Sequence, residues 1–119
     1  MEKISIIVPC YNEDEALPLF YNEIFKQAKI MNYVDFEFLF INDGSNDQTL
    51  NTLKSLSKKD KRVRYISFSR NFGKEAAMYA GFENCTGNYA VIMDADLQDP
   101  PYLLKEMYEV IKKEGYDSV

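Results

Sequence analysis

The sequence predicts an α/β fold, a mostly parallel sheet with helices on both faces. Short apolar, β-branched runs alternate four times with stretches of helical periodicity, in the order β-α-β-α-β-α-β-α. Strict alternation of this kind builds a parallel sheet through right-handed crossovers. The polar clusters fall just after the strands, at the carboxyl edge where such sheets bind ligands.

The first strand, residues 4–8, is apolar and β-branched, as expected for a strand covered on both faces. Pro9 ends it, residues 10–13 connect, and Asp14 or Asn12 caps the next helix. Leu17, Phe20, Tyr21, Ile24, Ala28 and Met31 fall at helical spacing and form that helix's core face. Pro18 fits only in its first turn. The second strand covers 36–41 and a turn-rich loop covers 42–47. Asp47 serves as N-cap of a short helix marked by Leu50, Leu53 and Leu56. The third strand is 63–68, followed by a loop at 69–73 and a helix at 74–83. Ala76, Ala77 and Ala80 give that helix a small face suited to close packing.

Thr86-Gly87-Asn88 turns into the fourth strand, 89–93, and the last helix, 101–114, faces Leu103, Leu104, Met107, Val110 and Ile111 inward. Gly115 reads as its C′ residue after Lys112 and Lys113, and 116–119 as the start of another strand. The chain thus reads as cut inside a larger fold, leaving an exposed sheet edge that invites self-association.

Composition narrows the function. The 119 residues are enough for one small domain, and 46% hydrophobic with 14% aromatic content supports a packed core. A net charge of −5 and a pI near 4.7 suggest no basic surface for nucleic acid. There is no histidine, which removes His-based catalysis and the commonest zinc sites. Cys10 and Cys85 fit no metal pattern and read as buried, reduced thiols of a cytosolic protein. No run reaches the roughly 20 apolar residues of a membrane span. Met1-Glu2-Lys3 leads directly into a strand, so no signal peptide is read.

The stretch Val91-Ile92-Met93-Asp94-Ala95-Asp96-Leu97-Gln98-Asp99-Pro100-Pro101 drives an apolar strand into three acids and two prolines. If strand geometry persists past Met93, Asp94 and Asp96 point together and Ala95 points away. Two carboxylates about 4 Å apart repel by roughly 4 kcal/mol at an effective dielectric near 20. A protonated acid, an incoming Lys or Arg, or a divalent cation offsets that. The Gln98 carbonyl adds a third hard oxygen, and such a set without His or Cys favours Mg2+ or Mn2+. The competing reading is a set of solvated turn acids, with Asp99 starting the next helix. The apolar strand before them and the Pro-Pro after favour the metal.

A dinucleotide site needs Gly-x-Gly-x-x-Gly after the first strand. That loop here, Pro9-Cys10-Tyr11-Asn12-Glu13-Asp14, has no glycine, and no P-loop is present. A metal held by residues 94–98 takes over the pyrophosphate charge instead. Tyr11 is either a stacking platform for a base or ribose, or a surface tyrosine. Glu13 either accepts from a ribose hydroxyl or base, or is a first-turn carboxylate favoured by the helix dipole. Asp43 either accepts a base N–H or forms an Asx turn before Gly44. Arg70 and Lys74 either pair with phosphate or are solvated charges. Asn71 and Gly73 shape their loop.

Four motifs in order resemble one family: Pro9-x-Tyr11-Asn12-Glu13, Asn42-Asp43-Gly44-Ser45-x-Asp47-x-Thr49, Arg70-Asn71-x-Gly73 and Asp94-Ala95-Asp96-Leu97-Gln98-x-Pro100-Pro101. They are similar to the family 2 glycosyltransferases of GT-A fold, most of all to the dolichol- and undecaprenyl-phosphate sugar transferases. The resemblance implies a Rossmann-like nucleotide-diphospho-sugar-binding domain over residues 1–119, cut before the acceptor half. It implies that Pro9, Tyr11, Glu13, Ile41 and Asp43 line the nucleotide pocket, and that Asp94 and Ala95 sit beside the ribose and diphosphate. By the same resemblance Asp96 and Gln98 hold the metal, and Asp94 and Asp96 are the catalytic acids. Asn42 stands where the family often has Asp; the base contact is assigned to Asp43.

The implied reaction is a metal-dependent, inverting transfer of a sugar from a UDP- or GDP-linked donor to polyprenyl phosphate. In the full-length protein it would take place at the cytoplasmic face of the membrane. Two alternatives are a family 2 enzyme with a saccharide acceptor and a non-catalytic nucleotide-binding fragment.

Overall fold

The computed structural model describes residues 1–96 and 103–114. Its elements run β1 (Lys3–Cys10), α1 (Ala16–Ile30), β2 (Asp35–Asn42), α2 (Thr49–Lys59), β3 (Val63–Ser67), α3 (Lys74–Asn84), β4 (Tyr89–Ile92) and α4 (Leu103–Glu114). The four strands form one all-parallel sheet in the order β3-β2-β1-β4. β1 is therefore central. Its register sets Ile6 beside Phe38 on one side and Val91 on the other.

Alternation along the strands divides the core. Ile4, Ile6, Val8, Phe36, Phe38, Phe40 and Val91 face a layer that includes Leu17, Phe20 and Ile24 of α1, Leu53 of α2 and Leu104 of α4. Ile7, Leu39, Ile41 and Ala90 face Ala77 of α3 on the opposite side. Strands buried on both faces read as nearly unbroken apolar runs, which is the pattern in the sequence. The expected core face of α1 is buried throughout, and Pro18 falls in the first turn.

The small face of α3 has a direct use. A Cβ added at Gly81 would overlap Ile7 Cγ2 in the central strand. Gly81→Ala is expected to lower stability by about 1–3 kcal/mol, the usual cost of overpacking. A lower urea midpoint would register it, and an unchanged midpoint would contradict the contact.

Several expectations need correction. Pro9 does not end β1; it pairs in register with Ile41, and the strand continues to Cys10. Ile7 O accepts the Met93 amide on the β4 side, whereas Cys10 O accepts the Asp43 amide on the β2 side. Pro9, two residues from Ile7, therefore turns its donorless nitrogen toward the β4 side, where β4 has already ended at Ile92. Asn12 and Asp14 do not cap α1, whose N-cap is Glu15 without a side-chain bond. The N-cap of α2 is Gln48 rather than Asp47, although Asp47 Oδ1 accepts the Thr49 amide one residue further on.

In α4, Leu104 is buried as expected, but Val110 is 52% exposed and Tyr108 is buried in its place. Leu104 and Tyr108 stand four residues apart on one helix face. The Tyr108 hydroxyl donates to Glu2 Oε1 at 2.8 Å, and its ring packs against Tyr33 and Tyr89. The side chains of Leu103, Met107 and Ile111 are outside the described residues, as are Gln98, Asp99, the two prolines and everything from Gly115 onward. Cys10 is buried and Cys85 is half-buried; both are free thiols.

Candidate functional site

The loops after β1, β2, β3 and β4 meet at the carboxyl edge of the sheet around a cavity of about 410 Å³. Pro9, Cys10, Tyr11 and Glu13 line it from the first loop, and Asp43 from the second. Asn71, Gly73 and Lys74 come from the third, and Asp94, Ala95 and Asp96 from the fourth.

The loops are held by one another rather than by helix caps. Asn12 adopts φ +53°, a conformation that asparagine tolerates better than most residues. Its amide donates to Ser45 Oγ at 2.9 Å, and its Oδ1 accepts the Asn46 amide at 2.8 Å. The Glu13 amide donates to the fully buried Thr49 hydroxyl, which itself donates to Asp47 Oδ1. Asp14 Oδ2 accepts the Gln48 amide. From the second loop to the third, Asp43 accepts the Phe72 amide at 2.7 Å, the Gly73 amide at 3.0 Å and Asn71 Nδ2 at 3.1 Å. Asn42 joins the end of β2 to β3 by donating to Ser67 Oγ.

The cavity is acidic. Burial, and after it the carboxylates of Asp96, Asp47 and Asp94, raise the pKa of Glu13 above the ordinary range. Lys74 Nζ lies 2.9 Å from Asp94 Oδ1, so one of the foreseen offsets, a lysine reaching in, is present. Burial, then Glu13, pushes the Cys10 thiol up. The donors at hand are thus carboxylate oxygens from Glu13, Asp94 and Asp96. That chemistry fits a hard cation such as Mg2+ or Mn2+. Among the described residues no three acids or cysteines form a ready-made metal cluster. Gln98, the other expected ligand, lies outside them.

Strand pairing stops at Ile92 and residues 95–96 lie in a turn, so the expected strand geometry does not continue. Asp94 and Asp96 nonetheless both line the cavity. Ala95 borders it as well while being buried in the core. Two expected residues stand elsewhere. Ile41 is fully buried beneath α3 and does not line the cavity. Arg70 stacks over the Phe72 ring at 4.6 Å and lines a neighbouring cavity of about 330 Å³ shared with Tyr11 and Asn71. Cys10, Asn71 and Gly73 were not assigned to the cavity from sequence, although all three sit inside or beside the motifs.

A parallel α/β sheet with an acidic, oxygen-lined cavity at its carboxyl edge is a class of fold that binds its ligands at that edge. Comparison with known proteins makes this specific. The sequence model of glycosyl transferase family 2 matches residues 5–119, and the chain belongs to that family. It is 53% identical over 116 residues to the putative glycosyltransferase CsbB of Bacillus subtilis, covering 98% of this chain and 35% of that protein. It is 42% identical over 107 residues to the bactoprenol glucosyl transferase of Shigella phage SfX, covering 90% of this chain and 35% of the relative. The chain therefore spans about a third of the length of the curated relatives it matches.

Among solved structures, S. aureus TarS 1-349 in complex with UDP superposes with a TM-score of 0.76 at 24% identity, over 95% of this chain and 33% of that one. The mannosyltransferase PcManGT from Pyrobaculum calidifontis, in complex with GDP-Man and Mn2+, gives 0.69 at 23% identity, over 80% of this chain and 28% of that one. At these identities the likeness establishes the GT-A fold.

Proposed function

We propose that this chain is the donor-binding part of a glycosyltransferase that moves a sugar from a UDP- or GDP-linked donor to polyprenyl phosphate, with inversion at the anomeric carbon. The observation that carries the reading is the gathering of Glu13, Asp43, Lys74, Asp94 and Asp96 around one cavity by four successive loops. Relatives named bactoprenol glucosyl transferases favour the polyprenyl acceptor over a saccharide. Neighbouring structures in complex with UDP and with GDP-Man and Mn2+ support the donor class and the metal.

In this reading Tyr11 and Glu13 hold the nucleoside, while Lys74 and the acids of the fourth loop hold the diphosphate end. Asp96, with Gln98, binds Mg2+ or Mn2+. When bound, the cation supplies Lewis-acid charge to the departing diphosphate. Lys74 then exchanges its Asp94 partner for a phosphate oxygen. A lipid-phosphate acceptor is already anionic, so no protein base need take a proton from it. The full-length protein would work at the cytoplasmic face of a membrane. Among the described residues no helix is long and apolar enough to cross one.

The test is calorimetric titration of UDP and GDP with and without manganese. Manganese is expected to tighten binding of one nucleotide by about tenfold or more, a gain of at least about 1.4 kcal/mol. Asp96→Ala is expected to abolish that gain. Binding that ignores both the metal and the substitution would remove the metal from the reading, and failure of both nucleotides to bind would remove the donor site. Turnover on polyprenyl phosphate against an oligosaccharide, in a protein of the relatives' full length, decides the acceptor.

A further inference from the structure

We propose that Ser5 and Glu37 are positioning residues that set the register of β4 against β1, and thereby where Asp94 and Asp96 stand at the cavity. Each is the one polar residue in an apolar run, Ile4-Ser5-Ile6-Ile7-Val8 and Phe36-Glu37-Phe38-Leu39-Phe40-Ile41. They are paired in the β1–β2 ladder and are 0% and 5% exposed. Ser5 Oγ donates to Glu37 Oε1 at 2.8 Å and accepts the Gly87 amide at 2.8 Å. Glu37 also accepts the Thr86 amide at 2.9 Å and the Thr86 hydroxyl at 3.0 Å. The bonds from residues 86 and 87 hold the turn that leads into β4.

The side chains of β4 do little to choose an alignment. Tyr89, Val91 and Met93 enter one core layer, and Ala90 and Ile92 enter the other. A slip by two residues returns every side chain to its own face, and an unbroken apolar run opposes even a slip by one only weakly. Among the described residues β4 pairs with β1 alone, over four positions. Each residue of slip moves the strand by about 3.3 Å. Asp94 and Asp96 line the cavity just past its end and move with it. A binding constellation tolerates only about 0.5 Å.

A buried polar group that finds its partners in one alignment only is the best-attested device for fixing register. A slipped turn would leave Ser5 and Glu37 short of partners where no water replaces them. Gly87 adds a steric condition. A Cβ there would lie 2.6 Å from Ser5 Oγ and 2.9 Å from the Lys3 carbonyl oxygen, so a larger residue holds the turn away from β1.

The consequence for the cavity rests on the donor-site reading, whereas the register is tested without any ligand. In the 119-residue chain, cross-strand contacts are read by NMR for wild type, Ser5→Ala and Gly87→Ala. Gly81→Ala serves as a control destabilised outside the clamp. Wild type is expected to show one set, with Ile4 beside Tyr89 and Ile6 beside Val91. Both clamp variants are expected to add a second, shifted β1–β4 set while their β1–β2 contacts stay as in wild type. The Asn88 and Met93 amides, bonded to Lys3 O and Ile7 O, are expected to exchange roughly tenfold faster or more in both. The manganese-dependent gain in UDP or GDP affinity is expected to vanish in both and to survive in Gly81→Ala.

A single wild-type set of contacts in both clamp variants would overturn the proposal. Loss of β1–β2 contacts along with the β1–β4 ones would make the pair a general requirement of the fold. A shifted register that keeps the manganese gain would cut the link to the acids. Wild type that binds neither nucleotide counts against the donor site alone, and the contacts still decide the register.

Discussion

Gly44→Ala is expected to destabilise the protein by roughly 2–5 kcal/mol, combining left-handed strain with overpacking. Gly44 sits at φ +69°, where a side chain is strained whatever the space around it. Here there is no space either. An added Cβ would fall on the Arg70 carbonyl carbon and the Asn71 amide nitrogen, which are backbone atoms that no rotamer change can move aside. The loop must lift off, and the three bonds from residues 71–73 to the Asp43 carboxylate lengthen or break. The measurement is the urea midpoint of the variant against wild type. A midpoint within error of wild type would show that the loop is not seated on Gly44.

Acid should weaken the fold through Glu37, on the opposite end of the sheet from the cavity. This carboxylate is buried on β2. Burial alone would raise its pKa. The Thr86 amide, the Ser5 hydroxyl, Arg64 and the Thr86 hydroxyl outweigh that and hold it at about 2. The contacts are 2.9 Å from the Thr86 amide and 2.8 Å from Ser5 Oγ, with Arg64 Nη1 at 2.6 Å.

A folded pKa depressed below the ordinary carboxyl value of about 4.3 stabilises the fold above that pH. The contribution is lost as pH falls from about 4.3 toward 2. A difference of roughly two units corresponds to about 3 kcal/mol. Arg64 is half in water, so the larger share lies with the Thr86 and Ser5 bonds. Glu37→Gln is expected to cost about 3 kcal/mol at pH 7, or roughly 10 °C in melting temperature. Its stability should also be flatter than wild type between pH 4.3 and 2, so that the two proteins converge in acid. Parallel pH profiles would mean that the network contributes nothing through ionisation.

What was readable in the sequence was local. Leu17, Phe20, Ile24 and Ala28 lie on one helix face because their spacing leaves no other arrangement. β1 and β2 announced themselves because both of their faces are buried. The placement of Tyr11, Glu13, Asp43, Asp94 and Asp96 at one edge followed from chain order alone, since parallel strands bring their exits together. Features that depend on a second segment were not readable. Asn12 and Asp14 have the chemistry of caps, but the loop after β2 presents amides that compete for the same oxygens, while Asp47 keeps a cap-like bond to the Thr49 amide. Pro9 looked like a terminator because nothing in its own surroundings tells where β4 stops. Tyr108 takes the buried place expected of Val110 because its hydroxyl finds Glu2, 106 positions away in the chain. Arg70 and Ile41 sit in motif-like company, yet which way each side chain leans is decided by Phe72 and by α3.

The mutual stitching of the turns after β1 and β2 also bears on how this protein can be redesigned. Asn12, Glu13 and Asp14 bond across to Ser45, Asn46, Gln48 and Thr49, so donors on one turn are matched to acceptors on the other. A chimera that imports only one of them from a relative lacking these side chains would lose the stitches whose acceptors lie on that turn, and the penalties would not be additive. The two turns therefore have to be exchanged together, as a single cassette.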